Sequence, residues 1–151
     1  AVIATGDEVF FVCPKDKVHK TLLDLHKLES PIKSIMLAGG GHVGKRLAIA
    51  LEKDHTVKLI EQDLNRAKDI ANDLRNTLIL HGDCTDESLL QEEMVENIDL
   101  FCAVTNNDGI NLISAALAKK LGARKTICLI NNNSYLKLMD TRQYSQARSQ
   151  R

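Results

Sequence analysis

Short apolar runs alternate with amphipathic stretches along most of this chain. Runs at 34–38, 56–61, 77–80, 100–104 and 126–130 are nearly continuously apolar, as strands are when helices cover both faces of a parallel sheet. Between them, apolar residues recur at helical spacing. Val43, Leu47, Ala50 and Leu51 form one expected face, and Leu64, Ala67, Ala71 and Leu74 a second. A third helix is expected over 86–94. A fourth carries Ile110, Ile113, Leu117 and Leu121 and ends at Gly122, the residue type suited to a left-handed cap. The pattern predicts an α/β fold, a doubly wound parallel sheet.

The leading segment reads differently. A β-rich run over 7–13 is closed by Pro14, and Val18, Leu22, Leu25 and Leu28 give one apolar face to a helix expected over 17–28. Ser30-Pro31 breaks that pattern and marks a domain boundary. The tail 141–151 has no periodicity, carries Arg142, Arg148 and Arg151 without an acid, and is expected to fray. The expected division is therefore 1–30, 31–140 and 141–151. The chain opens at Ala1 in the middle of a strand pattern, which reads as a fragment or a processed form.

Composition narrows the partners. Over 151 residues, 44% are apolar and 26% charged, the balance of a soluble globular protein. Twenty basic residues offset twenty acidic ones, so no overall positive field draws the chain to nucleic acid or anionic lipid. Aromatics are 3%, with no Trp, which leaves little surface for stacking bases. Cys13, Cys84, Cys102 and Cys128 form no CxxC and read as reduced thiols of a cytosolic protein, without metal-ligand spacing. No run approaches the ~20 apolar residues that cross a bilayer.

The chemistry gathers after the first run of the alternating block, where Gly39-Gly40-Gly41-His42-Val43-Gly44 contains G-x-G-x-x-G between a strand and a helix. In that context Gly39 permits the tight turn, Gly41 admits a pyrophosphate to the backbone, and Gly44 lets the helix press on the strand. The helix N-terminus adds free N–H groups and partial positive charge. Glu61 ends the second strand, twenty-two positions after Gly39, where this arrangement places an acid against ribose hydroxyls. Such a carboxylate accepts from a free diol and repels a 2′-phosphate, favouring NAD(H), ATP or ADP over NADP(H). Asp83 and Thr85 follow the third strand, and Thr105, Asn106 and Asp108 the fourth, at the edge where open parallel sheets bind ligands; as helix caps they would serve equally well. His42 stands beside the expected phosphates. Lys45 and Arg46 follow the glycines and suit an exposed helix face better than a phosphate contact. The remaining histidines share no spacing with carboxylates, so neither a metal site nor a catalytic dyad is expected.

Residues 32–138 resemble the N-terminal Rossmann lobe of an RCK (KTN) domain, the regulatory module of potassium channels and transporters. The resemblance rests on Met-Leu-Ala-Gly-Gly-Gly-His-Val-Gly, on Val-Lys-Leu-Ile-Glu-x-Asp-x-x-Arg over 57–66, on His-Gly-Asp-Cys-Thr-Asp over 81–86, and on Ala-Val-Thr-Asn-Asn-Asp over 103–108 with Asn111. The segment Thr5-Gly-Asp-Glu-Val-Phe-Phe-Val is similar to the last strand of an RCK C-terminal lobe, so the order is that of a tandem protein cut in its middle. By this resemblance Gly39, Gly41, His42, Val43 and Gly44 would hold the pyrophosphate, and Glu61 the adenosine ribose. Asp83, Cys84, Thr105 and Asn106 would surround adenine and ribose, and Arg66 occupies a position that often reaches the nucleotide. Many relatives carry a basic residue after the fifth strand; here Asn131-Asn132-Asn133 stands instead.

The function this implies is a cytosolic, non-catalytic regulatory subunit that binds NAD(H), or ATP or ADP, and gates potassium uptake. Its partner would be a membrane potassium-transporter subunit of the Trk type, placing it at the inner face of the cell membrane without insertion, as a homodimer or larger oligomer. The alternative is the cofactor half of an NAD-dependent oxidoreductase whose catalytic domain lies elsewhere, because this fold does not fix function.

Overall fold

The computed structural model describes residues 14–18, 20 and 30–131. The chain divides into two compact units, Ala1–Pro31 and Ile32–Arg151. In the first, Lys15–Lys17 form a 3-10 turn after Pro14, closed by the Lys17 N–H on the Pro14 carbonyl at 2.9 Å. The strand expected over 7–13, most of the helix expected over 17–28 and the tail 141–151 lie outside the described residues.

In the second unit five parallel strands, β1 (Ser34–Ala38), β2 (Thr56–Glu61), β3 (Leu78–His81), β4 (Leu100–Ala103) and β5 (Lys125–Cys128), form one sheet in the order β3-β2-β1-β4-β5. Helices α1 (His42–Leu51) and α2 (Leu64–Asp73) join β1 to β2 and β2 to β3. Helix α3 (Glu87–Glu92) leads to a 3-10 turn and β4, and α4 (Asp108–Lys120) leads to β5. The central strands bury both faces. On one, Met36, Ala38, Ile60, Phe101 and Ala103 pack with Leu90, Ala115 and Ala118; on the other, Ile35, Leu37, Val57, Leu59 and Cys102 pack with Ala48, Ile70 and Leu74. Each fully buried large side chain stabilises the fold by about 1.5–3 kcal/mol.

Three strand runs shift by one or two residues: the observed strands are Leu78–His81, Leu100–Ala103 and Lys125–Cys128. The third helix stops at Glu92, because Met94 takes a left-handed conformation with φ 55° before the 3-10 turn Val95–Asn97. Helix faces differ more. In α1 the sheet meets Gly44 and Ala48, and the expected Leu47 and Leu51 pack against the same core, while Val43 is 46% exposed and Ala50 is exposed. The physical reason is Gly44, whose missing Cβ draws that side of the helix against Gly39. In α2, Ala67 and Ile70 are buried, whereas Leu64 and Ala71 face solvent. In α4, Asn111, Ser114, Ala115 and Ala118 are buried and Ile113 is exposed. Small residues turn to the sheet because they let the helix approach it closely, and the larger Ile110, Leu117 and Leu121 flank that contact. Gly122 takes φ +111°, the left-handed cap its position requires.

Candidate functional site

The chain runs outward from β1 to β3, then crosses back to β4 beside β1, so the loops after β1 and β4 leave in opposite directions. Between them, at the carboxyl ends of the strands, lies a cleft of about 870 Å³. Open parallel sheets bind ligands at this switch point. Gly39, Gly41, His42 and Val43 line it from the β1–α1 turn, Glu61 and Arg66 from β2 and α2, and Asp83 and Cys84 from the loop after β3. Thr105 and Asn106 line it from the loop after β4. Gly44 does not: it lies beneath the cleft, where a Cβ would overlap the Gly39 carbonyl.

The turn is built from glycine for separate reasons. Gly39 has φ +106°, donates to the Ile60 carbonyl at 2.9 Å, and leaves no room for a Cβ beside the Thr105 backbone. Above Gly41 the space is open, with nothing within 4 Å of a Cβ position. The helix that follows starts without a side-chain cap and without an acid in its first turn. Its three counterparts are capped: Asp63 accepts from the Arg66 N–H, Asp86 from the Ser88 N–H and Asn107 from the Ile110 N–H. Helix α1 therefore presents its first-turn donors to the cleft, where a phosphate would complete them.

Glu61 is 5% exposed. Its Oε2 accepts from the Gly40 N–H at 2.8 Å and its Oε1 from the Asp63 N–H at 2.8 Å. These bonds fix the carboxylate on the cleft floor with further lone pairs available on both oxygens. The Arg66 guanidinium lies 3.4 Å from each oxygen, with its side chain 54% exposed. Gly40 was not among the residues singled out from sequence, yet its bare α-carbon is what admits Glu61: a Cβ there would stand 2.8 Å from Oε2 and overlap Ile70. Only the middle glycine of the triplet hinted at it.

Beside Glu61, after the neighbouring strand β3, Asp83 accepts from the Thr85 N–H and hydroxyl at 2.8 and 2.7 Å, starting the turn into α3. Thr105 lines the cleft with its hydroxyl turned inward, 2.6 Å from Asn111 Oδ1. Asp108 accepts from the Asn131 N–H at 3.1 Å, so the first of the three asparagines also borders the cleft. Burial, with Asp83 and Glu61 nearby, raises the Cys84 thiol above its ordinary pKa despite a hydrogen bond with Ser114; burial and Asp108 raise Cys128. Both remain protonated at neutral pH, unlike an activated nucleophile. Lys45 pairs with Asp73 on α2. Among the described residues no cluster of three or more His, Cys, Asp or Glu could hold a metal ion, and no helix is long and apolar enough to cross a membrane.

Residues 35–148 match the TrkA-N domain family model. The Trk system potassium uptake protein TrkA of Halomonas elongata and that of Vibrio alginolyticus are each 41% identical over 138 residues, covering 91% of this chain and 30% of the relative. A Methanosarcina mazei Trk system potassium uptake protein TrkA homolog is 43% identical over 108 residues, 70% of this chain and 24% of its own. The chain thus spans about 30% of the length of the first of these relatives. Among solved structures, the NAD(P)-binding domain of an exopolyphosphatase-related protein from Archaeoglobus fulgidus superposes with a TM-score of 0.60 at 13% identity, over 71% of this chain and 80% of that one. A short-chain dehydrogenase/reductase from Veillonella parvula gives 0.51 at 18% identity, over 65% and 47%. These two likenesses establish a Rossmann-like fold, and the sequence matches establish the family: the chain belongs to the TrkA-N domain family.

Proposed function

We propose that this chain is a nucleotide-binding lobe of a potassium-uptake regulator and that its cleft takes NAD(H), with ATP or ADP as weaker candidates. One observation carries the reading: among the described helices α1–α4, the one without a side-chain cap faces the same cleft as a buried carboxylate fixed by main-chain N–H groups. A pyrophosphate supplies the acceptors that α1 lacks, and a ribose diol supplies donors to Glu61. The names of the relatives support the potassium-uptake role; in this reading the lobe serves a Trk-type membrane subunit from the cytoplasmic face, as part of a homo-oligomer. We read residues 31–140 as the binding domain and 1–30 as the end of a preceding one. The lobe is non-catalytic in this reading: its function is to favour one of two conformations through unequal affinity, and coupling of ~1–3 kcal/mol is ample for regulation.

Calorimetric titration of the chain with NADH, NAD, ATP, ADP and NADPH tests it. NADH should bind and NADPH should bind more weakly. Glu61→Gln should weaken NADH by about 10- to 100-fold, the equivalent of losing hydrogen bonds to a charged group. Absence of binding by every adenine nucleotide, or a Glu61→Gln protein that binds as well as wild type, overturns the proposal. Substrate-dependent NADH oxidation by a longer protein would transfer the lobe to the oxidoreductase class.

A further inference from the structure

The last paired rung between β4 and β5 joins Ala103 and Cys128, followed by the Leu129 N–H on the Ala103 carbonyl at 2.9 Å. Beyond it the β4–β5 ladder ends, and Thr105 and Leu129 line the far wall of the cleft. One side chain takes the ladder's place. Asn111, on the first turns of α4, is fully buried. Its Oδ1 accepts from the Thr105 N–H at 2.8 Å and the Thr105 hydroxyl at 2.6 Å; its Nδ2 donates to the Thr105 carbonyl at 3.0 Å and the Leu129 carbonyl at 2.9 Å. A primary amide has two donor and two acceptor positions, and all four are used. The orientation is unambiguous, since an N–H can only donate and a carbonyl can only accept.

We infer that Asn111 is a positioning residue for the β4–β5 side of the cleft, an inference that rests on the nucleotide reading of this site. With no hydrogen-bonding position left for a ligand, it acts through its neighbours. It fixes Thr105, whose backbone abuts Gly39 of the glycine turn, and it fixes Leu129, which borders the cleft together with Asn131. The other residues that α4 buries nearby are Ser114, Ala115 and Ala118, so a small or apolar side chain would pack there without the cost of a buried amide. What such a side chain lacks is a bridge between two strand ends past their last rung. The resemblance sets Thr105 and Asn106 around adenine and ribose, but β4 lies on the other side of β1 from Glu61. In the proposed pose the adenosine diphosphate part lies against Glu61 and α1, and the second half of a dinucleotide extends toward Thr105 and Leu129 and depends on the bridge.

The test compares NADH with ADP on the same protein. Asn111→Asp keeps the shape and loses both donors; it should weaken NADH by about tenfold or more while ADP stays within about twofold. Thr105→Val, which exchanges the hydroxyl for a methyl and so removes its bond to Asn111, should shift the NADH/ADP ratio the same way by about threefold, and it carries the test if Asn111→Asp fails to fold. Equal loss for both ligands, or an unchanged ratio, overturns the positioning role and leaves the cleft assignment intact while wild type binds NADH. A wild-type chain that binds neither nucleotide removes both.

Discussion

The two ends of the sheet use the same device for opposite purposes. At the amino end, Glu52 accepts from the N–H groups of Arg75, Asn76 and Thr77 and from the Thr77 hydroxyl, and Asp99 accepts from the N–H groups of Lys33 and Ser34 and faces Arg124 at 3.3 Å. Each carboxylate there is enclosed by donors of the fold, and both are held below their ordinary pKa, chiefly by the Asn76 N–H for Glu52 and the Lys33 N–H for Asp99. At the carboxyl end, Glu61 receives one main-chain N–H on each oxygen and the exposed Arg66 guanidinium at 3.4 Å from both, and the helix beside it starts uncapped. The ends differ less in how many donors each carboxylate has than in what stands beside it: loops that the carboxylate closes at one end, and open helix donors facing a cleft at the other.

The glycines break this comparison most severely. Gly44→Ala drives a Cβ into the Gly39 carbonyl, which is backbone and cannot turn aside. It should destabilise the lobe by about 3 kcal/mol or more, read by urea denaturation, and nucleotide binding should fail with the fold. Gly41→Ala has open space and an ordinary φ of −68°, so it should change stability by no more than about 1 kcal/mol. Its methyl nonetheless occupies the cradle expected for phosphate, and NADH affinity should fall by about tenfold or more. Equal damage from the two substitutions would mean that the turn serves packing alone.

The contrast also explains what was legible in the sequence. Strands are nearly continuous apolar runs here, and Ser34–Ala38 and Thr56–Glu61 can be read directly, because burial on both faces leaves few polar positions, Lys58 being the one inside β2, where its ammonium reaches Glu93. The helices mislead because a count of large apolar residues cannot weigh Gly44, Ala48 or Ala118, whose value to the core lies in being small. Motif spacing could point to Gly39, Gly41 and Glu61 as candidates. It could not show that Gly40 admits the Glu61 carboxylate, or that Asn111 bridges Thr105 and Leu129, since both depend on distances between elements 18 to 21 positions apart in sequence.

A milder effect is expected at the amino end. Asp99→Asn should lower Tm by a few degrees at neutral pH and leave the NADH affinity of the folded protein unchanged. The sign of the pH dependence follows from the depressed pKa. The unfolded carboxylate protonates near pH ~4 and the folded one below that, so the stabilisation is complete above this value and disappears as pH falls through the lower, folded pKa. Wild type and Asp99→Asn should therefore converge in Tm as the solution is acidified below about pH 4, and differ by a constant amount from about pH 5 to 7. A difference that grows on acidification would show that Asp99 does not act through its charge.

The smallest effect is expected where the two kinds of site meet. Lys45 directly follows Gly44, a position that by sequence suits an exposed helix face better than a phosphate contact, and its ammonium is engaged with Asp73 of α2. Their side chains are 36% and 51% exposed, so solvent screens the pair, and its contribution to stability is about 0–1 kcal/mol. Lys45→Met keeps the stem over α1 and removes the charge. It should alter stability by less than about 0.5 kcal/mol and NADH affinity by less than about twofold at ~0.15 M salt, where charges more than ~8 Å apart are largely screened. A larger fall in affinity, suppressed by added salt, would mean that Lys45 leaves Asp73 when the anion arrives. The phosphates would then be held by a side-chain cation as well as by the main chain, and the division between a closed structural end and an open binding end would have to be redrawn at α1.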